Sequence, residues 1–191
     1  MKKSNLAFLI IFSLVVVDQM VKVWIKTTMN LGESFPVLGN WFYIYFVENE
    51  GIAFGISFGK SMGKLLLSLL RIGIVSLLIY YLFSMIKKKK ADGYVVIILS
   101  LIIAGAIGNI IDSMFYGMIW NYAPFLYGHV VDMFYFPLFL LPEWFPVWGG
   151  SYFFPAIFNV ADACTTVGIF AIIIWNKKFF EDKKEKTIQN A

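Results

Sequence analysis

Four stretches of about 20 residues, each nearly free of charge, leave this chain few folds to choose from. They span about residues 5–25, 62–86, 94–111 and 153–175. Hydrocarbon offers no hydrogen-bond partner to a peptide group, so such segments must close their own backbone bonds as helices, and about 20 residues rising about 1.5 Å each cross a bilayer. With 60% hydrophobic and only 15% charged residues, the chain falls outside the composition of soluble domains. The expected fold is an all-α membrane protein with four transmembrane helices, a single domain over residues 1–191.

Positive charge orients the helices. Lys2 and Lys3 precede the first stretch, Lys87 to Lys90 follow the second, and Lys177, Lys178, Lys183, Lys184 and Lys186 follow the fourth. The positive-inside rule makes these segments cytoplasmic, giving an N-in, C-in topology. Since the lysines collect at helix ends, the net charge of +4 reads as a topology signal, and nucleic acid is excluded as a partner. The N-terminus starts like a signal peptide, but no small-x-small cleavage site follows and Asp18 and Lys22 continue the helix, so the first span is expected to be retained.

Extracytoplasmic segments are then about 26–61 and 112–152. The stretch Phe35 to Ile56 is rich in aromatic and β-branched residues, with turn signals at Pro36, Gly39-Asn40 and Asn49 to Gly51. It predicts two or three short strands, a small sheet at the outer membrane surface. The stretch Phe136 to Pro155 carries four prolines, a Gly-Gly pair and two tryptophans, which stop another spanning helix and favour the headgroup region.

Ionisable groups in or beside apolar spans are costly and so demand a reason. Asp18 and Lys22 lie four apart with the acid first, suited to a pair on one helix face. That pair serves either insertion of the helix or chemistry. Arg71 snorkels outward or pairs with an acid, and no role is assigned to it. Asp112 closes the third span three residues after Asn109, while Gly105 and Gly108 permit close helix packing there. Asp132 and Asp162 fall near the outer boundary, Asp162 about three turns into a span beginning near Phe153.

Two facing carboxylates in a partly dry site suffice for peptide hydrolysis. Repulsion makes one keep its proton, the ionised one activates water, and the neutral one protonates the scissile carbonyl. The same acids would serve a small proton-coupled carrier, or merely satisfy packing in a non-catalytic assembly protein. With one cysteine and one histidine, no disulfide and no multi-cysteine or histidine-based metal site can be built. Cys164 reads as a small packing residue, and His129 as a solvated loop histidine in preference to a tuner of the acids.

Taken in order, Asp18-Gln19 with Lys22, Asn49-Glu50-Gly51-Ile52-Ala53-Phe54, Gly108-Asn109 with Asp112, Gly128 to Asp132, and Phe158-Asn159-Val160-Ala161-Asp162 resemble the lipoprotein signal peptidases, the type II signal peptidases. The resemblance implies an aspartic endopeptidase of the bacterial cytoplasmic (inner) membrane, active at its outer face. It would cut the signal peptide from a prolipoprotein just before the cysteine that carries diacylglycerol. Asp132 and Asp162 match the catalytic aspartates. Asn49, Gly51, Asn109, Asp112 and Asn159, with Asp18 and Lys22, match supporting or substrate-binding positions. No cofactor or metal is implied, the partners are diacylglyceryl-prolipoproteins and membrane lipid, and a monomer is expected.

The chain departs from that pattern in several places. Ser113 stands where the family usually has arginine, Ile52 where it has alanine, and Met133 where it has phenylalanine. Two segments, about 117–127 and 137–155, look like insertions.

Overall fold

The computed structural model describes residues 1–50 and 60–175; Gly51, Ile52 and the C-terminal lysines lie outside the described residues. Helices α1 (Lys3–Thr28), α2 (Lys60–Lys87) and α3 (Gly93–Ile111) are long and apolar enough to cross a membrane. A π-helical turn (Asp112–Tyr116) and a three-residue helix α4 (Gly117–Ile119) extend α3. The last helix, α5 (Val160–Ile174), has 15 residues, or about 22 Å. The expectation of a span from about 153 is corrected here: residues Ile157–Phe158 form a strand and Asn159 caps the helix, so Asp162 sits in the first turn rather than the third.

The burial pattern of α1 is inside-out for a water-soluble protein. Phe8, Leu9, Phe12, Met20 and Val23 are exposed, whereas Asp18 and Lys22 are buried at 1% and 0%. Helix α2 repeats it, with Leu66, Leu70, Leu77 and Tyr80 outward and Lys64 and Ser68 buried. Apolar side chains face outward at no cost only when the surroundings are hydrocarbon. The multi-pass membrane reading therefore rests on which residues face out as well as on helix length.

Helix α3 is the hub, packed against α1, α2 and α5. At one end of the bundle Ala7, Leu82, Ala91, Val96, Leu99 and Ile103 form an apolar core, and Lys3 Nζ donates to the Ala91 carbonyl at 2.6 Å, beside the lysines Lys87 to Lys90. At the other end stands a four-stranded antiparallel sheet in the order β1 (Ser34–Leu38), β2 (Phe42–Asn49), β3 (Val130–Tyr135), β4 (Ile157–Phe158). A second core of Ile25, Ile44, Phe46, Tyr116, Val131 and Met133 fastens this sheet to α1 and the π-helical turn. The strands expected near residues 35–56 are present as β1 and β2 as far as Asn49, and β3 and β4 join them from later in the chain.

The segment about 137–155 is non-helical, as its prolines require. It folds back on itself through a bridge between Leu140 and Tyr152, and Trp144, Val147 and Trp148 are exposed on it.

Candidate active site

Asp132 is held by strand pairing. In β2 and β3, Val47 lies opposite Asp132 and Asn49 opposite Val130, so Asn49 and Asp132 are diagonal neighbours. Asn49 Nδ2 donates to Asp132 Oδ2 at 3.3 Å. Asp162 is held by a helix N-terminus: Asn159 Oδ1 accepts the Asp162 backbone N–H at 2.8 Å, and the Asn159 backbone N–H reaches back to Asp162 Oδ2 at 3.4 Å. This reciprocal capping box lets β4 turn directly into α5 with the Asp162 carboxylate fixed at the corner.

Two asparagines tie the acids together. Asn159 Nδ2 donates to Asp132 Oδ1 at 2.7 Å and also lies 3.1 Å from Asn109 Oδ1 and 3.2 Å from the Val131 carbonyl. Asn109 Nδ2 donates to Asp162 Oδ1 at 2.7 Å. An amide both donates and accepts, so each asparagine can grip a carboxylate while being held by its neighbour. Burial, and after it the nearby charge of Asp162, push the Asp132 carboxyl up to about 7.

Beneath this pair lies a buried charge network. Lys22 Nζ meets Asp18 Oδ2 at 2.9 Å, Asp112 Oδ2 at 2.8 Å and Asn109 Oδ1 at 2.9 Å. Gln19 Nε2 donates to Asp112 Oδ1 at 2.9 Å, and Tyr116 donates to Gln19 Oε1 at 3.1 Å. Asp18 Oδ1 accepts the Ala161 N–H in the first turn of α5 at 2.9 Å, and Asp112 Oδ2 accepts the Val131 N–H of β3 at 3.2 Å. The two backbone bonds connect the network to the residues immediately before Asp162 and Asp132. A negative group at a helix N-terminus is also favoured by the helix dipole.

Asp18, Lys22, Asn49, Asn109, Asp112 and Asn159 thus gather around Asp132 and Asp162. Asp18, Lys22 and Asp112 act on the acids through Asn109 and the backbone of Ala161 and Val131. Close approach of the helices depends on glycine: a Cβ at Gly105 would strike the Ala161 carbonyl and Thr165 Oγ1, and one at Gly108 would come within 2.5 Å of Asp18 Oδ2. Gln19 stands in the first motif without an assigned role, and Tyr116 lies in none; both join the network. His129 lies in a loop just before β3, as expected, with its side chain 29% exposed; there its Nδ1 lies 3.2 Å from Glu48 Oε2 and its ring packs on Tyr122. Cys164 is buried and free.

A cavity of about 360 Å³ opens beside Asp162, lined by Arg71, Ile74, Val75, Ala106, Asn109, Asp162, Thr165 and Thr166. It lies where α2 and α5 flank α3, apolar toward the bundle and polar at the acids. No cluster of His, Cys, Asp and Glu able to hold a metal occurs among the described residues.

Comparison with known proteins gives the family. The family described as signal peptidase (SPase) II matches residues 10–178. A lipoprotein signal peptidase of Porphyromonas gingivalis is 45% identical over 184 residues, covering 86% of this chain and 80% of its own. One of Amoebophilus asiaticus is 39% identical over 176 residues, covering 86% and 74%. Among solved structures, a bacterial membrane enzyme determined by the in meso method superposes with a TM-score of 0.65 at 32% identity, covering 89% of this chain and 91% of that one. With the match running through every element that carries the two acids and their asparagines, the chain belongs to the signal peptidase II family.

Proposed function

We propose that the protein is a membrane aspartic endopeptidase that removes the signal peptide from diacylglyceryl-modified prolipoproteins, with Asp132 and Asp162 as its catalytic pair. The observation that carries the assignment of the pair is the asparagine frame, in which Asn109 holds Asp162 at the wall of a cavity and Asn159 holds Asp132.

In this reading Asp132, whose carboxyl is pushed up to about 7, holds the shared proton, and Asp162 serves as the base. Asp162 takes a proton from water as its oxygen attacks the scissile carbonyl carbon, and Asp132 gives its proton to the carbonyl oxygen. The tetrahedral diol then collapses. Its C–N bond breaks as Asp162 returns its proton to the departing nitrogen, a hydroxyl proton goes back to Asp132, and the products are a signal peptide with a new carboxylate and a lipoprotein with a free amine on the modified cysteine. Asn49 and Asn159 hold Asp132 for this exchange, and Lys22 with Asp18 and Asp112 fixes the elements that present both acids.

The whole chain is read as one peptidase domain with four crossings, α5 being the fourth, N-in and C-in, in the bacterial inner membrane. The sheet and dyad face outward, the 137–155 segment rests on the interface, and the enzyme acts as a monomer. The carrier alternative gains no support, since Asp18, Asp112, Asp132 and Asp162 all gather at the sheet end of the bundle.

The test is cleavage of a diacylglyceryl-modified prolipoprotein by purified protein in lipid, read by mass. Wild type should release a peptide ending just before the modified cysteine, and Asp132→Asn and Asp162→Asn should each lose release while remaining folded. Substantial cleavage by either variant would falsify the assignment of the pair.

A further inference from the structure

Ser113 stands where the resemblance leads one to expect arginine, and it is fully buried. The structure nevertheless brings a guanidinium to that place, from a different helix. Arg71 of α2 sets its Nη1 3.3 Å from Ser113 Oγ, and Ser113 Oγ in turn donates to the Asn109 carbonyl at 3.0 Å. Arg71 also lines the cavity beside Asp162, and it is the only cationic side chain on that wall among the described residues. Its electrostatic partners are Asp162 first, then Asp132 and Asp112, yet among the described residues no carboxylate forms an ion pair with it.

A guanidinium carries five N–H donors in a planar fork, and a single hydrogen bond to Ser113 occupies one of them. A half-buried charge kept in this state at the edge of an apolar cavity has capacity for an oxygen acceptor. On the reading above, the substrate presents its scissile bond to Asp162, so the residues just before that bond, the end of an apolar signal helix, come to the cavity that Asp162 lines. The last four carbonyls of any helix have no intrahelical partner, and the helix dipole makes that end negative. In a site with little water those carbonyls need donors from the enzyme.

We propose that Arg71 is a substrate-positioning residue that replaces, from α2, the cation missing at Ser113, its guanidinium bridging Ser113 Oγ and a backbone carbonyl at the C-terminal end of the signal helix. Arg71 holds the peptide still while the acids react, so its removal weakens binding more than chemistry.

This inference rests on the peptidase reading, and one assay separates the two. With diacylglyceryl-prolipoprotein in lipid, an inactive wild type would refute the peptidase reading itself, whatever Arg71 does. Given an active wild type and an inactive Asp162→Asn, Arg71→Met should raise KM about 10-fold or more with kcat changed little, as expected for loss of one charge-assisted hydrogen bond. Arg71→Lys keeps the charge but cannot span Ser113 and the substrate together, and should raise KM about 3- to 10-fold at unchanged thermal stability. The exchange Arg71→Ser with Ser113→Arg should recover KM relative to Arg71→Ser alone. A KM within twofold of wild type in Arg71→Met, or a fall in kcat at unchanged KM, overturns the proposal. Should Arg71→Met fail to fold, Arg71→Lys decides by the same criterion.

Discussion

Asn159 donates to Asp132 at 2.7 Å with the same side chain that caps the helix bearing Asp162. One residue therefore fixes both the position of one acid and the start of the element that carries the other. Serine at 159 would keep the cap, since its hydroxyl accepts as asparagine does, but would lose the amide donors. Asn159→Ser should keep the helix cap and lower stability by about 1–3 kcal/mol, the cost of buried acceptors left without the amide, while the protein still folds. Cleavage should fall on the order of 100-fold, the scale set by small misplacements of reacting groups. Thermal unfolding in detergent and the lipoprotein assay, run on one preparation, check the two halves of this statement.

Lys22 is 0% exposed and bonded to two carboxylates and an amide. Methionine there would strand Asp18 and Asp112 as adjacent buried charges, at a cost of about 3–5 kcal/mol. Adding Asp112→Asn removes one of the stranded charges and should restore part of that loss. A double-mutant cycle on unfolding temperature measures the coupling, and strictly additive effects would show that the network does not act as a unit.

Much of this site was legible in the sequence because charge inside an apolar span is so costly that few positions carry it without purpose. Asp18, Lys22 and Asp112 announce themselves in that way, and the structure joins them in one network. Strand β3 was not foreseen. Its run of Val130, Val131, Asp132, Met133, Phe134 and Tyr135 has strand composition, but it is buried on both faces and so lacks the alternation by which a half-exposed strand is read. The start of α5 was misplaced for a related reason: Phe153 to Phe158 is as apolar as the helix that follows, and only the Asn159 cap marks the boundary. Arg71 was silent because its partner, Ser113, is 42 residues away on another helix and carries no charge.

Gly105 lets α3 touch the first turns of α5, where an added methyl would meet the Ala161 carbonyl and Thr165. Displacing α5 moves Asp162, and with it the hydrogen bond from Asn109. Gly105→Ala should therefore lower cleavage about 10-fold or more while the protein still inserts, in keeping with the sensitivity of catalysis to small displacements. Gly73→Ala, whose added methyl meets nothing within 4 Å, is the matched control and should cleave normally. Equal activity in the two variants would mean that the α3–α5 contact does not set the dyad.

Asp132 gives the pH dependence its sign. Burial and the neighbouring Asp162 raise its carboxyl from the ordinary 3.8 to about 7, so the fold favours the protonated form. Its contribution to stability is complete below the ordinary value and is lost as the pH rises through about 7. Each unit of displacement is worth about 1.4 kcal/mol, so the loss by pH of about 8 amounts to at most about 4 kcal/mol. Asparagine mimics the neutral acid and does not titrate. Asp132→Asn should therefore unfold at a higher temperature than wild type at pH about 8, with the difference shrinking to nothing near pH about 4. Wild-type cleavage should decline over the same alkaline range, because the acid that protonates the carbonyl oxygen is being lost. Unfolding temperature and rate measured across that range test both. A variant advantage that does not change with pH would place the strain in packing around Asp132, and the proton of the dyad would have to be assigned to Asp162.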